Sequence, residues 1–358
     1  SDNAKQLYFA RYMLFFMGFF AVYAGFMYND FLSLGVDLFP SKWHVVSNDG
    51  KEIMLDASYD ITNSGGEGPY PFGLDPAWHG ATNELLFVNS LKMKLAVCMG
   101  VIQMLVGVFL RFSNAIHFRS LTDFICECCP MLIFMVCFFG YMDWMILYKW
   151  VTPTTTNPSL INSMISMGLG QEDKNPLYDG QVGVQGVLMT LIVASVPWLL
   201  IPKPVVLYMQ HASKGNKVAA DEECGGGHGH GHGEFDLADI VIHQVIETIE
   251  YVLGTVSHTA SYLRQWALSL AHQQLSLVFF SKTLLPMMSS DSPYAFIWIY
   301  IGYAIFMTIT AAVLLGMDVL ECFLHTLRLH WVEFQSKFYK ADGRVFAPFH
   351  HEATLKDF

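Results

Sequence analysis

Six long apolar stretches alternate with polar connections along the chain. They run at about 9–28, 85–111, 121–150, 184–209, 236–283 and 293–340. A perpendicular membrane crossing takes about 20 residues, so each of the first four fits one crossing. The last two are roughly twice that length, and at ~1.5 Å per residue they outrun a bilayer. They must tilt, kink or extend beyond it. Shorter apolar pieces at 31–39 and 159–169 are candidates for interfacial or re-entrant segments. The predicted fold is an all-α polytopic membrane protein of six to eight transmembrane helices, the last two long and strongly tilted. Residues 1–210 then form an N-terminal helical region with an acidic loop at 29–83. Residues 211–235 are a flexible linker, 236–340 are the two long helices, and 341–358 are a tail.

The polar positions inside the fifth stretch are its most informative feature. His243, Glu247, Glu250, Gly254, Ser257, Ser261 and Arg264 recur at three- and four-residue steps, which puts them on one helix face. His258, Gln265 and His272 form a second file beside them. Small residues in the middle of the stripe permit close approach of another helix. A guanidinium stays charged at any relevant pH, and translocon scales put an Arg at a bilayer centre at about +2.5 to +3.5 kcal/mol. Arg264 is therefore read as functional, whereas His243 and His258 read more simply as polar groups paired inside a bundle. In the sixth stretch Asp318, Glu321, His325 and Arg328 lie among apolar residues. Glu321 and Arg328 face alike, and Glu321 and His325 are i,i+4 neighbours. Arg328 lies close to the surface, where snorkelling is a competing explanation.

Composition agrees with a membrane chain: 53% hydrophobic and only 14% charged, against about 25% charged in soluble domains. A formal net charge of -11 argues against nucleic acid as a partner, which requires a basic footprint. Basic residues gather at 111–120 (Arg111, Arg119), at 202–234 (Lys203, Lys214, Lys217) and in the tail (Lys337, Lys340, Arg344, Lys356). The positive-inside rule places these segments, and both termini, in the cytosol. The 29–83 loop, which is acidic and rich in Pro, Gly and aromatics, falls on the opposite side. The polar start at Ser1 runs directly into an apolar helix with no cleavage-site pattern, so the chain reads as a piece of something longer. The seven cysteines show no disulfide framework. Cys126-Glu-Cys-Cys129 lacks a second ligand pair at zinc-site spacing, so these read as inert helix thiols. His228, His230 and His232 sit in a Gly/His repeat that reads as a solvated linker rather than a metal site. No metal or cofactor is assigned. No GxGxxG or P-loop pattern is present, so no nucleotide site is expected in this chain.

The motifs together resemble the membrane half of the a subunit of the eukaryotic vacuolar-type proton-pumping ATPase, over nearly the whole chain. The resemblance rests on Arg11-Tyr-Met-Leu-Phe-Phe-Met-Gly, Tyr28-Asn-Asp-Phe, Gly73-Leu-Asp-Pro-Ala-Trp-His79, Asn89-Ser-Leu-Lys-Met-Lys94 and Phe139-Gly-Tyr. Its strongest parts are Ser257-His-Thr-Ala-Ser-Tyr-Leu-Arg264, Trp266-Ala-Leu-Ser-Leu-Ala-His272 and Leu327-Arg-Leu-His-Trp-Val-Glu333. It implies a non-catalytic, proton-translocating stator subunit in the membrane sector of an ATP-driven rotary pump. The two long helices would face a ring of proteolipid subunits, each with a lipid-facing carboxylate. Other implied partners are the remaining membrane-sector and peripheral-stalk subunits and the lipid of an acidic organelle or the plasma membrane.

By the same resemblance Arg264 is the essential arginine and Arg328 the second one. Glu250 then belongs to a cytosolic proton entry, and His272 with Asp318 to a lumenal exit. Glu247 and Glu321 are secondary acids. The chain departs from the family at Gln265, where Leu is common, and at Asp318, where Glu is usual. A secondary transporter is the alternative, for which inverted repeats around broken helices would be expected. None is evident. A passive scaffold or metal-binding protein would instead depend on residues 225–233.

Overall fold

The computed structural model describes residues 5, 8–32, 34–39, 45–48, 53–55, 70–79, 83–152, 158–171, 175–210, 237–289 and 293–340. The Gly/His repeat and the tail beyond 340 lie outside the described residues, as does most of 40–69. The helices used here are α1 (Arg11–Tyr28), α2 (Glu84–His117), α3 (Leu121–Val151), α4 (Leu160–Leu169), α5 (Gln181–Gln210), α6 (Leu237–Ser261), α7 (Leu263–Phe279) and α8 (Ala295–Lys337). A π-turn at Phe280–Leu284 and a short helix Leu285–Met288 continue α7. Two short strands, β1 (Val45–Asn48) and β2 (Ile53–Leu55), pair antiparallel in the long loop. Apart from this hairpin the architecture is helical, as the apolar pattern predicts.

Among the described residues five helices, α1, α2, α3, α5 and α8, are long and apolar enough to cross a membrane. This refines the expected six to eight. The α6–α7 segment is long but too rich in polar groups to qualify on composition, and α4, at ten residues, is too short to cross. Helix α8 is 43 residues long. At ~1.5 Å per residue it spans about 65 Å, twice the roughly 30 Å hydrocarbon thickness. The expectation of a very long last helix is met.

The core lies around α3. Over half of its apolar span is buried (56%), against 6% for α1 and 11% for α8. Met131, Met135 and Met145 of α3 pack with Val101, Met104 and Val108 of α2, Ile192 and Leu199 of α5, and Leu329 of α8. Unbranched methionines fit the uneven gaps between helices that cross at different heights. The outer faces of α1 and α8 carry exposed Phe, Tyr, Ile and Leu, which suits lipid or another apolar partner rather than water.

Local chemistry ends the helices where the pattern predicts. Asn29 closes α1 in the left-handed conformation (φ 47), and its amide donates to the Val36 and Leu74 carbonyls at 2.9 and 3.3 Å. This ties both ends of the 29–83 loop to the end of α1. Trp78, fully buried, stacks on Phe87 of α2 at 4.3 Å. The motif Gly73–His79 thus seats the returning loop on α2.

Candidate functional site

Helix α6 has two polar faces, and only one of them is the stripe read from the sequence. Gln244, Thr248, Tyr251, Thr255 and Thr259 are buried, and Tyr262 continues the row. The neighbouring row is open: His243, Glu250 and Ser257 are exposed, while Glu247, Gly254, Ser261 and Arg264 are half-buried. The buried threonines fit an apolar interior because each hydroxyl donates to the carbonyl four residues earlier: Thr248 to Gln244, Thr255 to Tyr251 and Thr259 to Thr255, at 2.6–2.9 Å. The same face docks α6 onto three helices. Gln244 Nε2 donates to the Leu199 carbonyl and Tyr251 Oη to the Met131 carbonyl, both at 2.9 Å, and Lys337 Nζ donates to Thr255 Oγ1 at 3.0 Å. Docking this face leaves the sequence-predicted stripe turned outward.

The helix is interrupted at Tyr262, two residues before Arg264. The Gln265 amide bonds to the Tyr262 carbonyl at 3.1 Å, a tightened i→i+3 step. Tyr262 packs flat against Gly100 of α2. A Cβ at Gly100 would lie 2.4 Å from the Tyr262 ring, so only glycine admits the ring. The Tyr262 hydroxyl donates to Gln103 Oε1 at 3.1 Å. Beyond the break, Trp266 Nε1 donates to Asn89, and Lys92 Nζ donates to Gln273 Oε1 at 2.6 Å. Helix α2 therefore holds α7 along its length. Arg264 sits in the first turn of α7, its Nη1 buried and with no hydrogen-bond partner among the described residues.

Beyond Arg264 on the side of the connecting turn, midway along α8, His272 Nδ1 lies 2.6 Å from Asp318 Oδ2. This contact joins α7 to α8, and both side chains keep solvent-accessible surface. Asp318 ends a nine-residue π-helical stretch, Thr310–Asp318, of the kind often found at functional sites. At the opposite end, a cleft of ≈ 510 Å³ is lined by Glu247, Glu250, Gly254 and His258 of α6, with Arg111 and Lys337. The Nδ1 of His258 is buried there and has no partner among the described residues. Arg328 lies near enough for its charge to act on His258.

The predicted residues thus fall into three groups. Glu247 and Glu250 share the cleft, His272 and Asp318 share a contact, and Arg264 lies between them along the helix. Arg328 and Glu321 are exposed, and neither forms an ion pair among the described residues.

One polar cluster escaped the sequence reading. Glu127 of α3 is 1% exposed and accepts from Arg111 Nη2 at 2.6 Å and from Lys203 Nζ. Arg111 also reaches Glu247 at 2.7 Å, Lys203 lies 3.8 Å from Glu247, and Lys340 lies 3.9 Å from Glu127. Helices α2, α3, α5 and α6 meet at this network. The available signal was the pairing of Arg111 and Lys203, each at the end of an apolar stretch, with acids at the ends of neighbouring ones. In the sequence alone those cations mark only the topology.

The V-type ATPase 116kDa subunit family model matches residues 1–351. The chain is 42% identical to the V-type proton ATPase subunit a3 of Arabidopsis thaliana over 362 residues, covering 97% of this chain and 43% of the relative. It is 38% identical to the V-type proton ATPase 116 kDa subunit a 4 of Homo sapiens over 402 residues, covering 99% and 47%. For the V-type proton ATPase subunit a of Schizosaccharomyces pombe the identity is 39% over 368 residues, covering 98% and 43%. The chain spans less than half the length of these curated relatives. On the family match and these identities, the chain belongs to the V-type ATPase 116 kDa subunit family.

Proposed function

We propose that this chain forms the membrane half of the stator in a rotary, ATP-driven proton pump. In this reading it offers two proton half-channels, separated by Arg264, to a rotating proteolipid ring. The observation that carries the proposal is the state of Arg264. It is a permanent cation on the open side of the α6–α7 segment, has a buried Nη1, and has no acceptor among the described residues. A half-buried cation with no acceptor among the described residues of its own chain gains from a counter-charge on a partner. A carboxylate carried past on a neighbouring helix fits that need.

Protons enter from the cytosol through the cleft at Glu250 and load a ring carboxylate, which crosses lipid neutral, since an ion there is far costlier. Beside Arg264 the carboxyl meets a cation that favours its deprotonated form, and it releases its proton toward the His272–Asp318 pair. The fixed charge also repels a proton attempting to pass directly between the half-channels. Arg328, on the α8 side of the cleft, supplies a second positive charge near the entry. The nucleotide chemistry lies in other subunits, and the termini face the cytosol, with the acidified compartment on the other side. The peripheral stalk and the other membrane-sector subunits hold this chain still against the ring.

The test is Arg264→Ala, made in the full-length subunit within the assembled complex and followed as ATP-driven acidification of sealed vesicles. Assembly should persist while acidification is abolished. Robust acidification by an assembled Arg264→Ala complex overturns the proposal.

A further inference from the structure

Glu333 is the most deeply buried carboxylate among the described residues. It is 0% exposed, and neither Oε1 nor Oε2 has a hydrogen-bond partner among those residues. It lies on the π-helical turn Leu329–Phe334, on the same face as buried Leu329 and Lys337. That turn is pressed against α2: a Cβ at Gly107 would lie 3.3 Å from Lys337 Cβ and 3.4 Å from the Phe334 carbonyl.

Two polar neighbours stand close enough for the Glu333 charge to act on them, the Tyr262 hydroxyl and the Lys337 ammonium. Both donors are engaged elsewhere, Tyr262 with Gln103 Oε1 and Lys337 with Thr255 Oγ1. Lys337 also lines the cleft that holds Glu250 and His258, and the charges of Arg111 and Glu250 act on Lys337 in turn. Glu333 therefore sits one side chain behind the cleft wall, and Tyr262 connects its surroundings to the turn that carries Arg264.

A carboxylate that is buried, charged and unpaired is among the costliest arrangements in a protein interior, and binding one proton removes most of that cost. We propose that Glu333 is a proton-loading group of the cytosolic half-path: it takes a proton from water in the cleft and returns it to that path on the way to the ring. One proton is bound to an Oε and the same proton leaves it, with no other bond changed. The inference rests on the reading of Arg264 and the cleft given above. Glu333 is a relay and not the site of charge separation.

The experiment compares Glu333→Gln, Glu333→Asp and Arg264→Ala in the full-length subunit within assembled pumps. Initial acidification rates of vesicles are recorded across a range of external pH. Glu333→Gln keeps the shape and loses the exchangeable proton, so its rate should fall about tenfold or more and its dependence on external pH should flatten. Glu333→Asp should restore part of the rate and the pH dependence. A wild-type rate and pH profile in Glu333→Gln overturns the relay, and so does an equal loss in Gln and Asp with an unaltered pH profile. If Glu333→Gln does not assemble, infrared difference spectra of the wild type and Glu333→Asp decide: a carboxyl C=O band that shifts between them supports the relay, and its absence refutes it. Acidification by Arg264→Ala would sink the underlying reading independently of Glu333.

Discussion

Arg264, half-buried, and Glu333, fully buried, are two charges for which the described residues supply no hydrogen-bond partner at Nη1 or at either Oε. Arg264 cannot lose its proton, so under the proposed function it is answered from outside the chain. A carboxyl can take one up, so Glu333 can be answered by a proton. The His272–Asp318 contact is the paired case, and in the proposed path the exchange there would be local. Replacing Asp318 with Asn removes the acid while keeping the shape. Acidification should slow to roughly a tenth with assembly intact, and an unchanged rate would remove Asp318 from the path. Arg264, His272 and Asp318 were legible because a charge or imidazole in the middle of an apolar run has no ordinary explanation. Glu333 was not, because a glutamate near a helix end among Arg328, His330 and Lys337 reads as a solvated residue. Only the packing of α2 over that turn shows it to be enclosed.

At the scale of elements, periodicity located α6 and the phase of its polar rows, but it could not say which row would be buried. The choice came from hydrogen-bonding capacity. Thr248, Thr255 and Thr259 can satisfy themselves on their own helix backbone, and Gln244 and Tyr251 find carbonyls on α5 and α3. Glu250 and Arg264 have no such recourse on their own helix and stay toward the open side, while Glu247 is held by Arg111 and Lys203. The interruption at Tyr262 was also beyond the sequence, because no Pro or Gly marks it. It arises where the ring must enter the notch at Gly100.

The Arg111–Glu127–Glu247–Lys203 network draws four helices together at one end. Glu127→Gln would leave Arg111 and Lys203 with Glu247 alone. Removing one partner of a buried ion pair typically costs about 3–5 kcal/mol. The detergent-solubilised complex should therefore lose its thermal midpoint or its assembly well before its intrinsic turnover is affected. A midpoint equal to wild type would show that the network contributes little.

For the whole molecule, the fold class was legible from hydropathy alone, since backbone groups in lipid must be satisfied within helices. The count of spans was less so, because the α6–α7 segment, which carries the candidate site, is more polar than the other long helices. The outward row of α6–α7 is a polar surface on an apolar body, and under the proposed function it meets a partner that brings both apolar area and a carboxylate. Cysteines placed at Ser257 or Gln265, both exposed, should form disulfides with a cysteine near the ring carboxylate when oxidised. Such bonds need Cα atoms within about 7 Å. No product from either position would show that this face is not turned to the ring.

The break at Tyr262 also has a mechanical side. Helix α6 is fastened to α3 and α5, while α7 is fastened to α2 through Trp266–Asn89 and Lys92–Gln273. In the proposed pump, a rotor dragging on Arg264 would load α2 first, through these contacts, and the strain would reach α6 and the cleft through the Arg111–Glu247 pair that α2 also holds.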